Sequence, residues 1–434
     1  MQRKAFEASE GAESASGKSP SPPGKPCVSP PAPNTVPTTE GSRSFPLQPM
    51  APTSPPPFDA SPVLAALQAR GRRVVMITAG GGSAAIPALV TLSGASLVVL
   101  EAIAPSAREA TDALLGGEQE SYGSSRTARR LAMAAWERCC RYGAPGDSAV
   151  GVGATAGLAT TIPKRGDHRI HVAVQTLGET SVASLTLVKG ARTRAEEETL
   201  AAALVLARLA AEQEAAPTTA ARLAALLGPE ERIILERQPG PIAWQSVLAG
   251  TSGRARLAGA AENEAIFPGS FDPLHDAHRA MARIGARITG LPVAYELSIR
   301  NVEKPALDFV EIAARADRFD GAAAWLTSAA TFAEKVALFP GAPFLVGADT
   351  FVRLGHPRYS GGSTTAAAEA VRRIATASGG LIVFGRVRDG VFTDPAQLLA
   401  PPALRAIARF VTEEEFRDDV SSTLLRRAES AGQE

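Results

Sequence analysis

From Val63 onward the chain alternates short apolar, β-branched runs with longer segments whose apolar residues recur every three or four positions, the patterns of strands and helices in turn. Arg73-Val74-Val75-Met76-Ile77-Thr78 reads as a buried strand that runs into Gly80-Gly81-Gly82 and then a helix over 83–91, the layout of a βαβ unit. Leu97 to Ile103 predicts a second strand and Ser124 to Cys140 an Ala/Arg-rich helix. Ala149 to Val152 predicts a strand ending in a small-residue loop over 153–161. Ile170 to Gln175 and Ser181 to Lys189 read as paired strands, and Arg194 to Glu214 as a long helix that closes a domain near residue 215. Residues 216–262 show no sustained pattern, are broken by Gly240 and Gly253, and read as a connector. A second alternating run follows: strand Glu264 to Phe267, helix His278 to Thr289, strand Val293 to Ser298, helices around 308–319 and 321–337, strands Pro343 to Val346 and Leu381 to Phe384, then two helical segments. Such alternation predicts an α/β fold with a parallel sheet covered by helices on both faces.

Residues 1–60 depart from this pattern. They hold 14 of the 33 prolines and few large apolar side chains, too little buried surface to offset chain entropy, so they read as a disordered Pro/Ser-rich tail. Glu7, Glu10, Glu13 and Glu40, with no amphipathic period, argue against a transit peptide. The expected organisation is a tail over 1–60, an α/β domain over 61–215, a connector over 216–262 and a second α/β domain over 263–434.

Composition narrows the function classes. Lys and Arg total 45 against 44 Asp and Glu, so no global field exists to hold polyanions, and 5% aromatic residues offer few stacking platforms; no nucleic-acid partner is expected. Three cysteines, Cys27, Cys139 and Cys140, are too few for a disulfide framework or a four-thiolate zinc site. No apolar run reaches the roughly 18 residues of a membrane helix. The longest, Ala84 to Val99, is broken by Pro87, Ser93 and Gly94, so no membrane partner is expected either. A soluble, cytoplasmic chain is the expectation, with organellar or nuclear targeting and self-association left open. His168 and His171, read as sharing one face of a strand start, lack the further ligands of a metal site.

The chemistry concentrates in Phe267-Pro268-Gly269-Ser270-Phe271-Asp272-Pro273-Leu274-His275-Asp276-Ala277-His278, a loop that leaves a strand and opens a helix. Ligands of open α/β sheets bind at the carboxyl ends of strands, and helix N-termini attract phosphate through unpaired N–H groups. Two of the five histidines of the chain fall in this one turn. Taken alone they read as capping or core residues. The stretch, however, resembles the G-x-F-D-P-x-H-x-G-H signature of the nucleotidylyltransferase superfamily, which includes the nicotinamide mononucleotide adenylyltransferases; Ala277 stands where that signature has Gly. About 150 residues on, Val420-Ser421-Ser422-Thr423-Leu424-Leu425-Arg426 resembles the family's I-S-S-T-x-x-R signature, and Gly347-Ala348-Asp349 resembles its G-x-D element. Asp349 alone reads equally well as a helix cap.

The resemblance implies a Rossmann-like domain that moves an adenylyl group from ATP to nicotinamide mononucleotide, giving NAD and pyrophosphate. It assigns catalysis to His275, His278 and Arg426, and nucleotide binding to Gly269, Ser270, Phe271, Gly347, Asp349, Ser421, Ser422 and Thr423. Lys304, after the second strand, becomes an acceptor contact, although an ordinary solvated lysine explains it as well. Magnesium is expected with ATP and no protein-held metal; the partners are ATP and a mononucleotide acceptor. The rival readings are nucleotidylyl transfer using CTP or a phosphopantetheine-type acceptor, and a catalytically quiet nucleotide-binding scaffold.

The first domain resembles, more loosely, the C-terminal domain of the CinA nicotinamide-nucleotide amidases, through Gly94-Ala95-Ser96, the strand and small-residue loop Val150 to Thr161, and the later strand pair with its Arg-containing helix. The amidase's nucleophilic Ser aligns with Ala79, and its Tyr and Lys fall near Ser106 and Thr111, so no amidase activity is expected. Gly80 to Ser83 and Gly153 to Thr161, with Lys164 and Arg165, remain as a candidate phosphate-accepting rim, alongside the plainer reading of a domain kept for stability or dimerisation.

Overall fold

The computed structural model describes residues 59–162, 164–211, 217–259, 263–302, 304–388 and 391–417. The tail over 1–58 and the Ser421, Ser422, Thr423 and Arg426 motif lie outside the described residues. The first sheet contains β1 (Arg73–Ala79), β2 (Val99–Ile103), β3 (Ala149–Gly157), β4 (His168–Gln175), β5 (Glu179–Leu187) and β6 (Ile233–Pro239), in the order β2-β1-β3-β4-β5-β6. β1 runs parallel to β2 and β3, and the remaining pairs are antiparallel.

Strand alternation sends side chains to opposite faces, and each face has its own cover. Val74 and Met76 of β1 join Val150, Val152, Ile170 and Val172 against α1 (Ser61–Ala69), α2 (Ala85–Val90), α5 (Arg194–Ala211) and α6 (Pro217–Leu226). Val75 and Ile77 face the other way, toward α3 (Arg108–Leu115) and α4 (Ser125–Arg141).

Helix α4 lies unusually close to β3. A Cβ at Gly151 would collide with the Ala132 carbonyl oxygen and stand 2.8 Å from Trp136 Cα; one at Gly153 would collide with the Ala128 oxygen. Gly153 to Gly157 are therefore strand, not the start of a loop: their small residues admit a helix backbone. On this side Ala128 and Ala132 meet Ala173 and Val182.

The second sheet has β7 (Arg254–Ala258), β8 (Ala265–Pro268), β9 (Val293–Ser298), β10 (Ala324–Thr327), β11 (Phe344–Gly347), β12 (Leu381–Phe384) and, past a hairpin of β13 (Arg386–Arg388) and β14 (Val391–Thr393), β15 (Ala408–Val411). Its order is β15-β12-β11-β8-β9-β10-β7, all parallel except the edge strand β7. Read by sequence, the six parallel strands run 3-2-1-4-5-6, the doubly wound order that places a crevice where the connections reverse, at the carboxyl ends of β8 and β11. Helices α7 (Ile242–Ala249), α8 (Asp276–Thr289), α9 (Phe309–Asp317), α10 (Phe332–Leu338), α11 (Ala348–Arg353), α12 (Thr364–Ala377) and α13 (Pro402–Ala406) complete the layers.

The α/β class expected from periodicity is thus observed, with three corrections of detail. Residues 216–262 are not a mere connector: they supply β6 to one sheet and β7 to the other. The Ala-rich stretch 321–337, read as helix, holds β10 before α10 begins, and one of the two final segments read as helical contains β15. The boundary near 215 does not separate two cores either. Leu131, Met133, Ala135 and Trp136 of α4 share one apolar cluster with Val247, Leu297, Ile299 and Phe309 of the second half.

Replacing Gly151 or Gly153 by Ala pushes α4 off β3. Overpacking against backbone predicts a stability loss of about 3 kcal/mol or more in denaturant unfolding of the full chain. An unchanged midpoint would contradict the close contact.

Candidate functional site

Strand β8 is short and apolar, with Ala265, Ile266 and Phe267 buried, and the chain then turns sharply. Phe271 takes φ 47° and folds its ring back over Gly269, where a Cβ would lie 2.6 Å from the ring. That ring is 1% exposed and meets Phe267, Tyr295 and Phe319 edge-on at 5.1–5.6 Å. The Phe271 side chain is thus the core of the loop, and its ring occupies the space that a Cβ at Gly269 would enter.

The buried ring fixes the start of α8. His275 is the N-cap residue, and His278 Nδ1 accepts the His275 backbone N–H at 3.3 Å. The two imidazoles stack at 3.8 Å between centroids, and Phe271 braces His278 edge-on at 5.3 Å. Burial, reinforced by His275, pulls the His278 pKa down to about 4. The ring is therefore neutral at pH 7, and its accepting Nδ1 assigns the proton to Nε2. Ala277 is buried with Ile284 and Gly285, on the inner face of the helix, so the methyl that departs from the signature points into the protein and leaves the loop clear.

A cavity of ≈ 670 Å³ opens at the carboxyl ends of β8 and β9, and α4 of the first half forms its far wall. Gly269, Ser270 and Lys304 line it, facing Arg126 and Arg130. An ion-pair network stitches the two walls. Arg126 reaches Glu120 at 3.2 Å, Asp272 at 2.9 Å and Glu311 at 2.8 Å, while Arg129 meets Asp308 at 3.3 Å. Arg315, nearly buried, donates to the Ser270 carbonyl at 2.8 Å and pairs with Glu311 at 3.1 Å and Asp272 at 3.4 Å. Asp308 caps α9 by accepting the Glu311 N–H; burial pushes its carboxyl above the ordinary range against the pull of Arg129. Sequence reasoning did not connect these residues. The signal was present in Arg126, Arg129 and Arg130, spaced to share one helix face, and in Asp308 and Glu311 at the start of another.

The remaining residues singled out by sequence fall elsewhere. Gly347 caps α11, and Asp349 in its first turn pairs with Arg386 beside a separate cavity of ≈ 280 Å³. Neither His275, His278, Gly347 nor Asp349 lines the larger cavity, although Thr350 does. Among the described residues no group of three or more His, Cys, Asp or Glu could hold a metal ion. No described helix is long and apolar enough to cross a membrane.

In the first half the glycine-rich rim is already filled. Glu198 of α5 accepts from the Gly82 N–H at 2.9 Å, the Ala84 N–H at 3.0 Å and the Ser83 hydroxyl at 3.0 Å, so a carboxylate sits where a phosphate would. These donors and Arg194 hold Glu198 below the usual carboxylate range despite its burial, which makes it a poor base for Ser83. Glu197 likewise takes the Ala159 N–H at 2.6 Å and pairs with His168 Nδ1 at 2.7 Å. His168 and His171 are three apart and face opposite sides of β4: His168 meets α5, whereas His171 bonds Ser184 at 2.8 Å. Burial lifts the Cys139 and Cys140 thiols to about 11, so neither presents a thiolate.

No protein-family model matches the chain, and no curated protein matches it. Among solved structures, the competence-damaged protein (CinA) superfamily protein from Enterobacter cloacae is similar at 15% identity over 38% of this chain and 95% of its own, with a TM-score of 0.31. The corresponding protein from Escherichia coli gives 17% identity over 38% and 94%, with a TM-score of 0.30. The competence damage-inducible protein A from Klebsiella pneumoniae gives 17% over 37% and 95%, with a TM-score of 0.29.

The buried imidazoles set an acid limit. His278 and His171 both have folded pKa values near 4 against 6.5 when free. As pH falls through 6.5 the unfolded chain binds a proton at each ring while the folded chain does not, so stability is intact above 6.5 and is lost toward pH 4. The loss is about 3 kcal/mol per ring at most. Denaturant unfolding at pH 7.5, 6 and 5 should show a falling midpoint, less steep in His171→Asn; equal slopes in both proteins would contradict the assignment.

Proposed function

We propose that this chain transfers an adenylyl group from ATP to the 5′-phosphate of a mononucleotide, nicotinamide mononucleotide by the resemblance of its motifs, releasing pyrophosphate. The observation that carries the reading is the placement of the paired-histidine helix start at the reversal point of a 3-2-1-4-5-6 sheet, next to a cavity of nucleotide size. An oxygen of the acceptor phosphate attacks the α-phosphorus, the bond to the bridging oxygen of the β-phosphate breaks, and that oxygen leaves with pyrophosphate. The nucleophile is already an anion, so the protein needs no general base, only alignment and charge stabilisation.

His278 suits that task as a fixed neutral donor. Its Nδ1 is committed to the His275 N–H, which leaves Nε2–H as the donor of the ring, and the packed Phe271 ring restrains its rotation. A preorganised donor of this kind is worth more in the transition state than a mobile one. The resemblance assigns Ser421, Ser422, Thr423 and Arg426 to the phosphates of ATP, Asp349 to its sugar and Lys304 to the acceptor. In the first half, Ala79 at the nucleophile position and a Ser83 hydroxyl bonded to a weakly basic Glu198 support no amide hydrolysis.

The test is the full chain with magnesium, ATP and nicotinamide mononucleotide, following pyrophosphate and the dinucleotide. Both products are expected; pyrophosphate with CTP alone would move the reading to cytidylyl transfer, and silence with every nucleotide would leave a scaffold. His278→Ala is expected to lower kcat about 100- to 1,000-fold, and His278→Gln, which keeps a donor, to lose less. Near-normal transfer by a folded His278→Ala protein would remove the histidine from the mechanism. The full chain should release no ammonia from nicotinamide mononucleotide; release would restore the first half as an amidase.

A further inference from the structure

The wall of the large cavity carries cations that make no direct ion pair. Arg126 and Arg315 are each held by two or more carboxylates, and Lys335 is clamped by both oxygens of Glu296 at 2.8 Å. Three other lining cations differ. Arg130 of α4 donates to the Gln119 side-chain oxygen and to the Leu115 carbonyl at 3.0 Å. Arg300, beyond β9, donates to the Leu248 carbonyl at 3.0 Å, and Lys304 is exposed in the same loop. Among the described residues none of the three pairs with a carboxylate, and all three line the cavity with Ser270. Burial and the neighbouring Arg126 outweigh the pull of Glu311, Asp308 and Glu120 on Arg130, so its charge is left incompletely compensated in the cavity wall.

We propose that the acceptor site is composite: Arg130, supplied by the first half of the chain, binds the phosphate of the mononucleotide opposite Arg300 and Lys304 of the second half. This rests on the transferase reading above and extends it, because it gives the first half a direct part in substrate binding in place of the lost amidase chemistry. Arg130 suits the role since its present partners are neutral and its planar fork offers further N–H donors to phosphate oxygens. Arg126 beside it stays locked in the network that holds the two walls together, which separates the structural arginine of α4 from the binding one.

The experiment is calorimetric titration of the full chain, without ATP, with nicotinamide mononucleotide and with the riboside that lacks the phosphate. The mononucleotide is expected to bind more tightly. Arg130→Ala should weaken it about 10- to 100-fold while leaving riboside affinity unchanged, and Arg130→Lys should recover part of the difference. A thermal midpoint for each variant guards against simple unfolding, since Arg130→Lys keeps the charge and the length of the side chain. Equal mononucleotide affinity in wild type and Arg130→Ala, or no preference of the wild type for the phosphorylated ligand, overturns the proposal. A transfer assay separates the two readings. Phosphate recognition that depends on Arg130 without dinucleotide formation removes the transferase reading and keeps the composite site. Dinucleotide formation with an unchanged acceptor KM in Arg130→Ala does the reverse.

Discussion

Helix α4 can reach the backbone of β3 only because positions 151 and 153 have no side chain. Much of what joins the two halves of the protein follows from that contact, alongside the Phe309 N–H bond to the Thr180 hydroxyl at 3.0 Å. Pressed onto the first sheet by its alanines, the helix turns Leu131, Met133, Ala135 and Trp136 toward Val247, Leu297, Ile299 and Phe309, so one apolar cluster spans both sheets. A bulkier β3 would move the helix outward and pull that cluster apart. The interface is therefore part of the core in the energetic sense, and burial on both sides of one helix makes the two sheets interdependent.

The polar end of the same helix shapes the cavity. Arg126 and Arg129 engage Asp272, Asp308 and Glu311, which sets the wall opposite the β8 loop. Ion pairs this shielded are poor evidence for net stability, because desolvation offsets their attraction, but they fix geometry. Here they anchor Asp272, two residues from Ser270 and three from His275. The histidine turn is thus supported from inside by the Phe271 ring and from outside by Arg126 of the first half. In the first half itself, Glu197 and Glu198 occupy the loop amides that would otherwise attract an anion.

Much of the fold was legible because long helices and buried parallel strands leave strong periodicities: β9 and β12 match the sequence reading residue for residue, and α8 differs only at its first turn. What escaped was short or edge-placed. β10 lies in Ala-Ala-Ala-Trp-Leu-Thr, where alanines favour helix in isolation and only pairing with β9 and β7 makes a strand. β6 buries no residue fully and β7 only Ala255, so neither strand carries a hydrophobic alternation and a stretch that feeds both sheets looked like a linker. The glycines of β3 resembled a loop because the reason for them, a helix backbone that any side chain would displace, is tertiary and leaves no local trace. The site shows the same division. The paired histidines were visible as a motif, whereas Phe271 looked like a ligand contact although its ring is core, and Arg130 gains meaning only once α4 faces β9.

The most direct test is a crystal structure of the full chain with nicotinamide mononucleotide and a non-hydrolysable ATP analogue. The account predicts the mononucleotide in the cavity between Ser270 and α4, its phosphate directed toward the analogue's α-phosphorus, and Nε2 of His278 on the triphosphate. A mononucleotide bound away from this cavity, or a triphosphate remote from α8, would contradict it.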